Sequence, residues 1–140
     1  MTRVSAELRR QIIERAAGCC EYCLISREDR LLPCHIDHVI AEKHRGLTTL
    51  DNLCLSCPNC NEYKGTDLSS IDPKTDQIIP LFNPRKHIWN EHFRLDHVLI
   101  EPLTPEGRAT VFLLRLNDPI RMDEREVLIA EGRYPCQPQQ

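Results

Sequence analysis

Apolar residues near the start of the chain recur at the spacing of a helix. Leu8, Ile12 and Ala16 follow one another every four residues, and Ser5 precedes them as a candidate N-cap, so the pattern predicts a helix over residues 5–17. In the second half of the chain, a capping residue followed by proline marks several helix starts. These signals predict helices over residues 83–93 and 104–116, and a last helix that begins near residue 119 or 123 and ends at 131.

Short apolar runs between these helices favour strands. They predict strands over residues 34–40, 50–55 and 96–103. A short helix is predicted for residues 61–64 and a frayed tail for residues 137–140. Residues 66–80 are polar and include two prolines, which is typical of a linker or an irregular segment. This break divides the chain into an α+β module at residues 1–66 and a mainly helical C-terminal extension at residues 67–140, packed on the module.

Composition restricts the class of protein and its partners. Lys and Arg number 18 against 21 Asp and Glu, and the formal net charge of -3 excludes attraction of the whole molecule to nucleic acid. Any nucleic-acid contact must therefore come from a local basic patch. No apolar run is long enough to span a membrane, and the charged residues 1–15 lack the apolar core of a signal peptide. We therefore expect a cytoplasmic protein without a membrane segment.

The eight cysteines are the unusual feature of this composition. All but one lie within residues 19–60, whereas a disulfide framework would tie together the whole chain. Cysteines without a secretory signal indicate metal binding or catalysis before disulfides. Cys19, Cys34 and Cys136 have no metal-ligand spacing, and we expect them to be thiols in or near the core.

The Cys-x-x-Cys spacing presents two thiolates from one tight turn to a tetrahedral metal ion. Three pairs have this spacing, namely Cys20/Cys23, Cys54/Cys57 and Cys57/Cys60. The first pair is unambiguous. For the second we choose Cys57/Cys60, because the Pro-Asn between them favours a turn, whereas Cys54 alternates with leucines as in a strand. The sequence thus predicts a closed, structural zinc site. A thiol-redox protein shares the spacing of one such pair and is an alternative.

Residues between and after the two cysteine pairs suit a second, different metal ion. A neutral histidine such as His38 can take a proton from water near neutral pH. The side-chain oxygens of Asp37 and Asn61 are hard ligands that Mg²⁺ or Mn²⁺ prefers. Neighbours in a regular strand point to opposite faces, so Asp37 and His38 share one site only if the strand ends, bulges or twists there. Under ideal alternation, His35 would share the face of Asp37.

One set of motifs extends over residues 16–65. It consists of Cys20-Glu-Tyr-Cys23, Ile36-Asp37-His38-Val39-Ile40, Gly46, Asp51-Asn52-Leu53 and Cys57-Pro-Asn-Cys60-Asn61 with Lys64-Gly65. Together these motifs resemble the zinc-bearing, four-cysteine type of HNH endonuclease, as in stand-alone bacterial HNH proteins. The resemblance implies a ββα-metal, treble-clef-like core in which a β-hairpin and a helix hold one catalytic cation, stapled by the zinc site.

The resemblance also assigns roles to single residues. It implies that His38 is the general base, that Asp37 and Asn61 bind the catalytic cation, and that Asn52 braces the loop between the strands. Many members of the family have histidine at the position of Asn61, so the cation can be Mg²⁺ or another divalent ion such as Mn²⁺ or Ni²⁺. The reaction implied is hydrolysis of DNA phosphodiester bonds, by nicking, with weak sequence preference.

The partner expected from this resemblance is DNA, contacted mainly through its backbone. Lys43, Arg45 and Lys64 are the candidate phosphate contacts near the motifs. A homodimer or a partner that supplies specificity is compatible with the sequence. The alternative function is a zinc-stapled nucleic-acid-binding module without catalysis, because the four cysteines alone would explain the fold.

Overall fold

The computed structural model describes residues 2–137, so residues 138–140 of the predicted tail lie outside the described range. The order is a helix, a β-hairpin and a helix, followed by two more hairpins and three more helices. The elements are α1 Ala6–Arg15, β1 His35–His38, β2 Leu53–Ser56, α2 Pro58–Lys64, β3 Ser69–Ile71, β4 Ile78–Pro80, α3 Trp89–His92, β5 Phe93–Asp96, β6 Leu99–Pro102, α4 Pro105–Leu114 and α5 Pro119–Ala130. No helix among these is long and apolar enough to cross a membrane.

The first half of the chain is a small α+β unit, in agreement with the sequence. Helix α1 begins where predicted, with the Ser5 side chain accepting a hydrogen bond from Leu8 N. Strands β1 and β2 pair antiparallel, with Asp37 opposite Cys54. Helix α2 follows β2 after one residue, because Cys57 caps it and Pro58 occupies its first turn. A hairpin followed directly by a helix is thus the frame of the candidate site.

The second half differs from the mainly helical extension that the sequence predicts. The sequence predicts a linker or an irregular segment for residues 66–80, but β3 and β4 form an antiparallel hairpin there. The physical reason is a tertiary ion pair, because the buried Asp72 carboxylate accepts hydrogen bonds from Arg108 Nε and Nη2, each at 2.9 Å. Arg108 lies on α4, so a distant part of the chain stabilises this turn.

The helix predicted over residues 83–93 is also wrong for most of its length. Asn83 closes a turn instead, with its Oδ1 accepting from Arg85 N at 2.8 Å and its N donating to His87 Nδ1 at 2.9 Å. Only the four residues of α3 are helical, and Phe93 begins β5 paired with Pro102 of β6. The extension therefore contains two hairpins as well as helices.

Both halves contribute to one hydrophobic core. Tyr22 of the first half and Phe93 of the second are each almost completely buried in it. Hydrogen bonds join the halves at the cysteine turn: Trp89 Nε1 donates to the Tyr22 carbonyl at 2.9 Å, and Tyr134 Oη donates to the Cys23 carbonyl at 2.6 Å. The extension is thus packed directly on the segment that carries the first cysteine pair.

Candidate functional site

Four cysteines converge in the core of the first half. The sulfurs of Cys20, Cys23, Cys57 and Cys60 all lie within 4.8 Å of one another, and all four side chains are buried. Four thiol sulfurs at this separation form the donor set of a closed tetrahedral metal site. The residues present therefore fit a structural zinc ion, and they leave no ligand position open for a substrate.

Local backbone geometry explains why the first pair converges. Cys20 N donates to the Ile25 carbonyl at 2.8 Å, and Leu24 N donates back to the Cys20 carbonyl at 3.0 Å, which closes a tight turn around Cys23. Leu24 adopts a positive φ of 64°, a conformation uncommon outside glycine. This turn is anchored to β2, since Glu21 N donates to the Leu55 carbonyl at 2.9 Å and Leu55 N donates to Glu21 Oε2 at 2.7 Å.

The second pair is held by the start of α2. Cys57 is the N-cap of this helix, and its sulfur accepts a hydrogen bond from Cys60 N at 3.5 Å. The choice of Cys57/Cys60 over Cys54/Cys57 agrees with the structure. Cys54 points away from the cluster, with its thiol donating to Tyr22 Oη at 3.9 Å, and burial raises the pKa of that thiol. Cys54 is therefore a core thiol, as its position in a strand predicted.

The remaining cysteines divide into one free thiol and one disulfide. Cys34 is a free, buried thiol as expected, and burial raises its pKa to about 11. The expectation that Cys19 and Cys136 are also free thiols was wrong, because these two residues form a disulfide. Cys136 N also donates to the Leu24 carbonyl at 2.9 Å, so the end of the described chain lies against the cysteine turn. The two cysteines are 117 residues apart in the sequence, so local sequence patterns do not reveal this pairing.

Asp37 lies near the end of β1 and is paired with a buried lysine. Its Oδ2 lies 3.0 Å from Lys64 Nζ, and Lys64 is only 2% exposed. The same ammonium group donates to the His38 carbonyl at 3.1 Å. Burial raises the pKa of Asp37, an effect that the nearby Lys64 charge opposes. Lys64 therefore holds the end of β1 against α2, and its burial argues against the predicted contact with DNA phosphate.

His38 is the last residue of β1 and is also buried. Its Nε2 shares a hydrogen bond with Thr48 Oγ1 at 2.9 Å and lies 3.8 Å from Glu42 Oε1. Neither Thr48 nor Glu42 was identified from the sequence, because both lie in the loop between the strands and match no motif. Among the described residues, His38 Nδ1 has no hydrogen-bond partner. The strand ends at this residue, which is one of the conditions under which Asp37 and His38 can serve one site.

Asn52 bridges the two sides of the loop that joins β1 to β2. Its Oδ1 accepts from Ile40 N at 3.0 Å, and its Nδ2 donates to the Ile40 carbonyl at 2.9 Å and the Leu47 carbonyl at 2.8 Å. Gly46 permits this close approach, because a Cβ there would lie 1.7 Å from the Ile40 carbonyl oxygen and 2.8 Å from Asn52 Nδ2. These contacts suit the bracing role that the sequence suggested for Asn52.

We predict that Asn52→Asp destabilises the protein although it is nearly isosteric. The carboxylate would still accept from Ile40 N, but it would lose both donated hydrogen bonds and face the carbonyls of Ile40 and Leu47. We expect the free energy of unfolding to fall by about 2 kcal/mol, within the range for buried polar groups left unpaired. Urea unfolding measures this change, and Asn90→Asp on an exposed position is the control. Equal stability of the two variants would contradict the bracing role.

The remaining candidates lie at the edges of this arrangement. Asn61 is half-buried on α2, one turn before Lys64 and therefore on the helix face that meets Asp37. Lys43 and Arg45 are exposed at a short turn in the loop between the strands. His35, at the start of β1, is exposed. The structure thus groups Asp37, His38 and the end of α2, and the two basic loop residues are exposed.

A comparison with protein-family models places this arrangement in a known class. Residues 20–67 match the model described as HNH endonuclease. Comparisons with curated proteins and with solved structures gave no match. The matched segment begins at the first cysteine of the cluster and ends beyond α2, so it contains all four cysteines, Asp37, His38, Asn52 and Asn61. The cysteine cluster is consistent with the zinc-bearing type of the family, and residues 20–67 of this chain match the HNH endonuclease domain of the family model.

Proposed function

We propose that this protein is a metal-dependent endonuclease that hydrolyses phosphodiester bonds of DNA. The observation that carries the proposal is the family match, which includes every residue of the set His38, Asp37, Asn52 and Asn61. The HNH domain suggests nuclease activity in general. DNA as the substrate, nicking as the outcome and the roles of single residues are the finer parts of the proposal.

In the proposed reaction, His38 takes a proton from the attacking water. In the tautomer whose Nε2 carries hydrogen and donates to Thr48, Nδ1 has the free lone pair. Burial of the ring and its contact with Thr48 would fix the direction of that lone pair. The proton leaves the water as its oxygen attacks phosphorus. The bond from phosphorus to the 3′ oxygen breaks, and that oxygen takes a proton from solvent water. We expect products with 5′-phosphate and 3′-hydroxyl ends.

Two residues would hold the catalytic cation, Asp37 and Asn61. Lys64 Nζ lies 3.0 Å from Asp37 Oδ2. That oxygen is buried and accepts no hydrogen bond from the described residues, so the carboxylate keeps the capacity to bind a cation. A carboxylate and an amide oxygen are hard donors that fit Mg²⁺, Mn²⁺ or Ni²⁺. When bound, such a cation would supply charge stabilisation to the phosphate. Lys64 would orient the Asp37 carboxylate and would not contact DNA.

The four cysteines would bind a zinc ion that is structural, separate from the catalytic cation. Lys43 and Arg45 are proposed to contact the DNA backbone, since they are exposed beside the site and phosphate contacts carry no sequence information. One site of this kind cuts one strand. A double-strand break would need a homodimer, two encounters or a partner that supplies specificity.

The test is the conversion of supercoiled plasmid to nicked circles by the pure protein in EDTA, Mg²⁺, Mn²⁺ or Ni²⁺. We expect nicking only with a divalent cation. We expect Asp37→Asn to abolish nicking or to require a much higher cation concentration, because the ligand loses its charge. Asp67→Asn, at an exposed position at the end of the matched segment 20–67, is the matched control and should nick normally. Binding of DNA without nicking in any cation would favour a binding module without catalysis.

A further inference from the structure

A buried arginine of the C-terminal extension contacts the cysteine cluster. Arg121 lies in the first turn of α5, and it is only 5% exposed. Its Nη2 donates to Cys60 Sγ at 3.1 Å and lies 3.7 Å from Cys57 Sγ. Its Nη1 donates to the Leu114 carbonyl at 2.7 Å. The guanidinium group is thus fixed on its other side by backbone and directed at two sulfurs.

The buried guanidinium group of Arg121 requires a negatively charged partner. Arginine keeps its charge in proteins, and an unpaired buried charge is costly. Among residues 2–137, no carboxylate lies within ion-pair distance of Arg121, so the sulfurs are its only contacts able to carry negative charge. Neutral thiols would leave the guanidinium unpaired.

We propose that Arg121 is part of the metal centre: it neutralises and hydrogen-bonds the thiolates of Cys57 and Cys60, and thereby slows the loss of zinc. A zinc ion with four thiolates has a net charge of -2, from four negative ligands and one doubly positive ion. Arg121 reduces this to -1 within a buried site. The C-terminal extension therefore completes the zinc site of the HNH domain.

This contact affects how well protons compete with zinc for the thiolates, and how well chelators compete with the thiolates for zinc. A hydrogen bond from a cation lowers the basicity of a thiolate, so protonation and detachment of that ligand become less favourable. Loss of an outer-shell partner of a metal ligand typically costs about 10- to 100-fold in metal affinity. This inference rests on zinc binding by the four cysteines, which is part of the proposed function, and it is independent of nuclease activity.

The experiment compares Arg121→Met with Arg125→Met. Arg125 is a matched control, because it is equally buried one turn later on α5, yet it donates to the Val98 carbonyl at 2.7 Å and to Asn117 Oδ1 at 3.0 Å. Zinc release to a chromogenic chelator is followed in the full-length proteins after zinc content is measured. We expect release from Arg121→Met to be about 10- to 100-fold faster than from wild type. We expect Arg125→Met to release zinc at the wild-type rate even if its thermal stability falls.

A spectroscopic measurement separates an effect on sulfur from a general loss of stability. In the Co²⁺-substituted protein, removal of the hydrogen bond raises the energy of the sulfur lone pairs. The sulfur-to-cobalt charge-transfer band should therefore move to longer wavelength in Arg121→Met, but not in Arg125→Met. If Arg121→Met does not fold, Arg121→Lys is used instead, because it keeps the charge but not the geometry of the guanidinium group. It should show faster zinc release and a shifted band.

The outcomes distinguish the two proposals. Purified protein that binds neither zinc nor cobalt would overturn the metal site and this inference with it. Zinc bound by wild type, with unchanged release and an unchanged cobalt band in the Arg121 variant, would overturn this inference alone. Zinc release that is equally faster in the Arg121 and Arg125 variants would also overturn it, because the loss of any buried arginine of α5 would then explain the effect. None of these results depends on whether the protein cuts DNA.

Discussion

Replacement of His38 by alanine is expected to lower the rate of cation-dependent nicking by about 10²- to 10⁴-fold, the usual contribution of a positioned general base. The side chain is buried at the end of β1, where its Nε2 shares a hydrogen bond with Thr48 Oγ1. The measurement is the initial rate of nicked-circle formation at saturating Mg²⁺. Alanine removes the base but leaves Asp37 and Asn61, so the cation concentration at half-maximal rate should stay near its wild-type value.

Two matched histidine variants control this experiment. His35→Ala removes the exposed histidine that starts the same strand, and His44→Ala removes the exposed histidine beside Lys43 and Arg45. Both should keep wild-type activity if His38 is the base. Zinc content and circular dichroism must match wild type in all three proteins. Loss of nicking in His35→Ala with activity kept in His38→Ala would reverse the assignment and make the face shared by residues 35 and 37 the catalytic one.

Local patterns predicted the part of the fold that carries the site. Cysteine spacing and the Pro-Asn turn identified the correct second pair, because Cys57 both caps α2 and directs its sulfur inward. Alternation with leucine correctly placed Cys54 in a strand. The elements that position the site are a turn, a strand end and a capped helix. They could be predicted because contacts between sequence neighbours determine them.

Contacts between distant residues could not be predicted in this way. The polar stretch from 66 to 80 forms a hairpin because Asp72 meets Arg108 on α4, and no periodicity within the stretch reveals that partner. Lys64 resembled a surface lysine at a helix end, yet it is buried against Asp37. Arg121 stands among charged residues of the sequence, and only the packed structure directs it to Cys60.

Removal of the zinc ion proposed for the four cysteines, or replacement of Cys57, is expected to unfold the protein. The four ligands are buried beside core residues such as Tyr22 and Leu55, so the cluster lies within the core and not at its margin. Structural zinc sites contribute about 10–16 kcal/mol of apparent binding free energy at neutral pH. The whole stability of a domain is about 5–15 kcal/mol. The metal-free protein should therefore have no stable native state, and four unpaired thiols would be left around the Arg121 charge.

Cys57→Ser and Cys54→Ser test this expectation as a matched pair. Both replace a buried core cysteine of neighbouring sequence, but only Cys57 belongs to the cluster. Cys54→Ser should bind zinc and unfold cooperatively with a loss of about 1–3 kcal/mol, the cost of burying a hydroxyl. Cys57→Ser should show little native circular dichroism, and chelation of wild type should give the same spectrum, reversed by added Zn²⁺. A stably folded, metal-free wild type would refute a zinc-dependent fold.

The same unfolding experiment tests whether the C-terminal extension depends on the metal. Trp89 and Tyr134 are hydrogen-bonded to the backbone of the cysteine turn, at Tyr22 and Cys23. Without metal, that turn loses the ligands that hold its shape, and the extension loses the surface on which it packs. We therefore expect the side chain of Trp89, the single tryptophan of the chain, to become solvent-exposed in the same transition in which zinc is lost. A tryptophan signal that stays native in the metal-free protein would mean that the extension folds independently of the domain it covers.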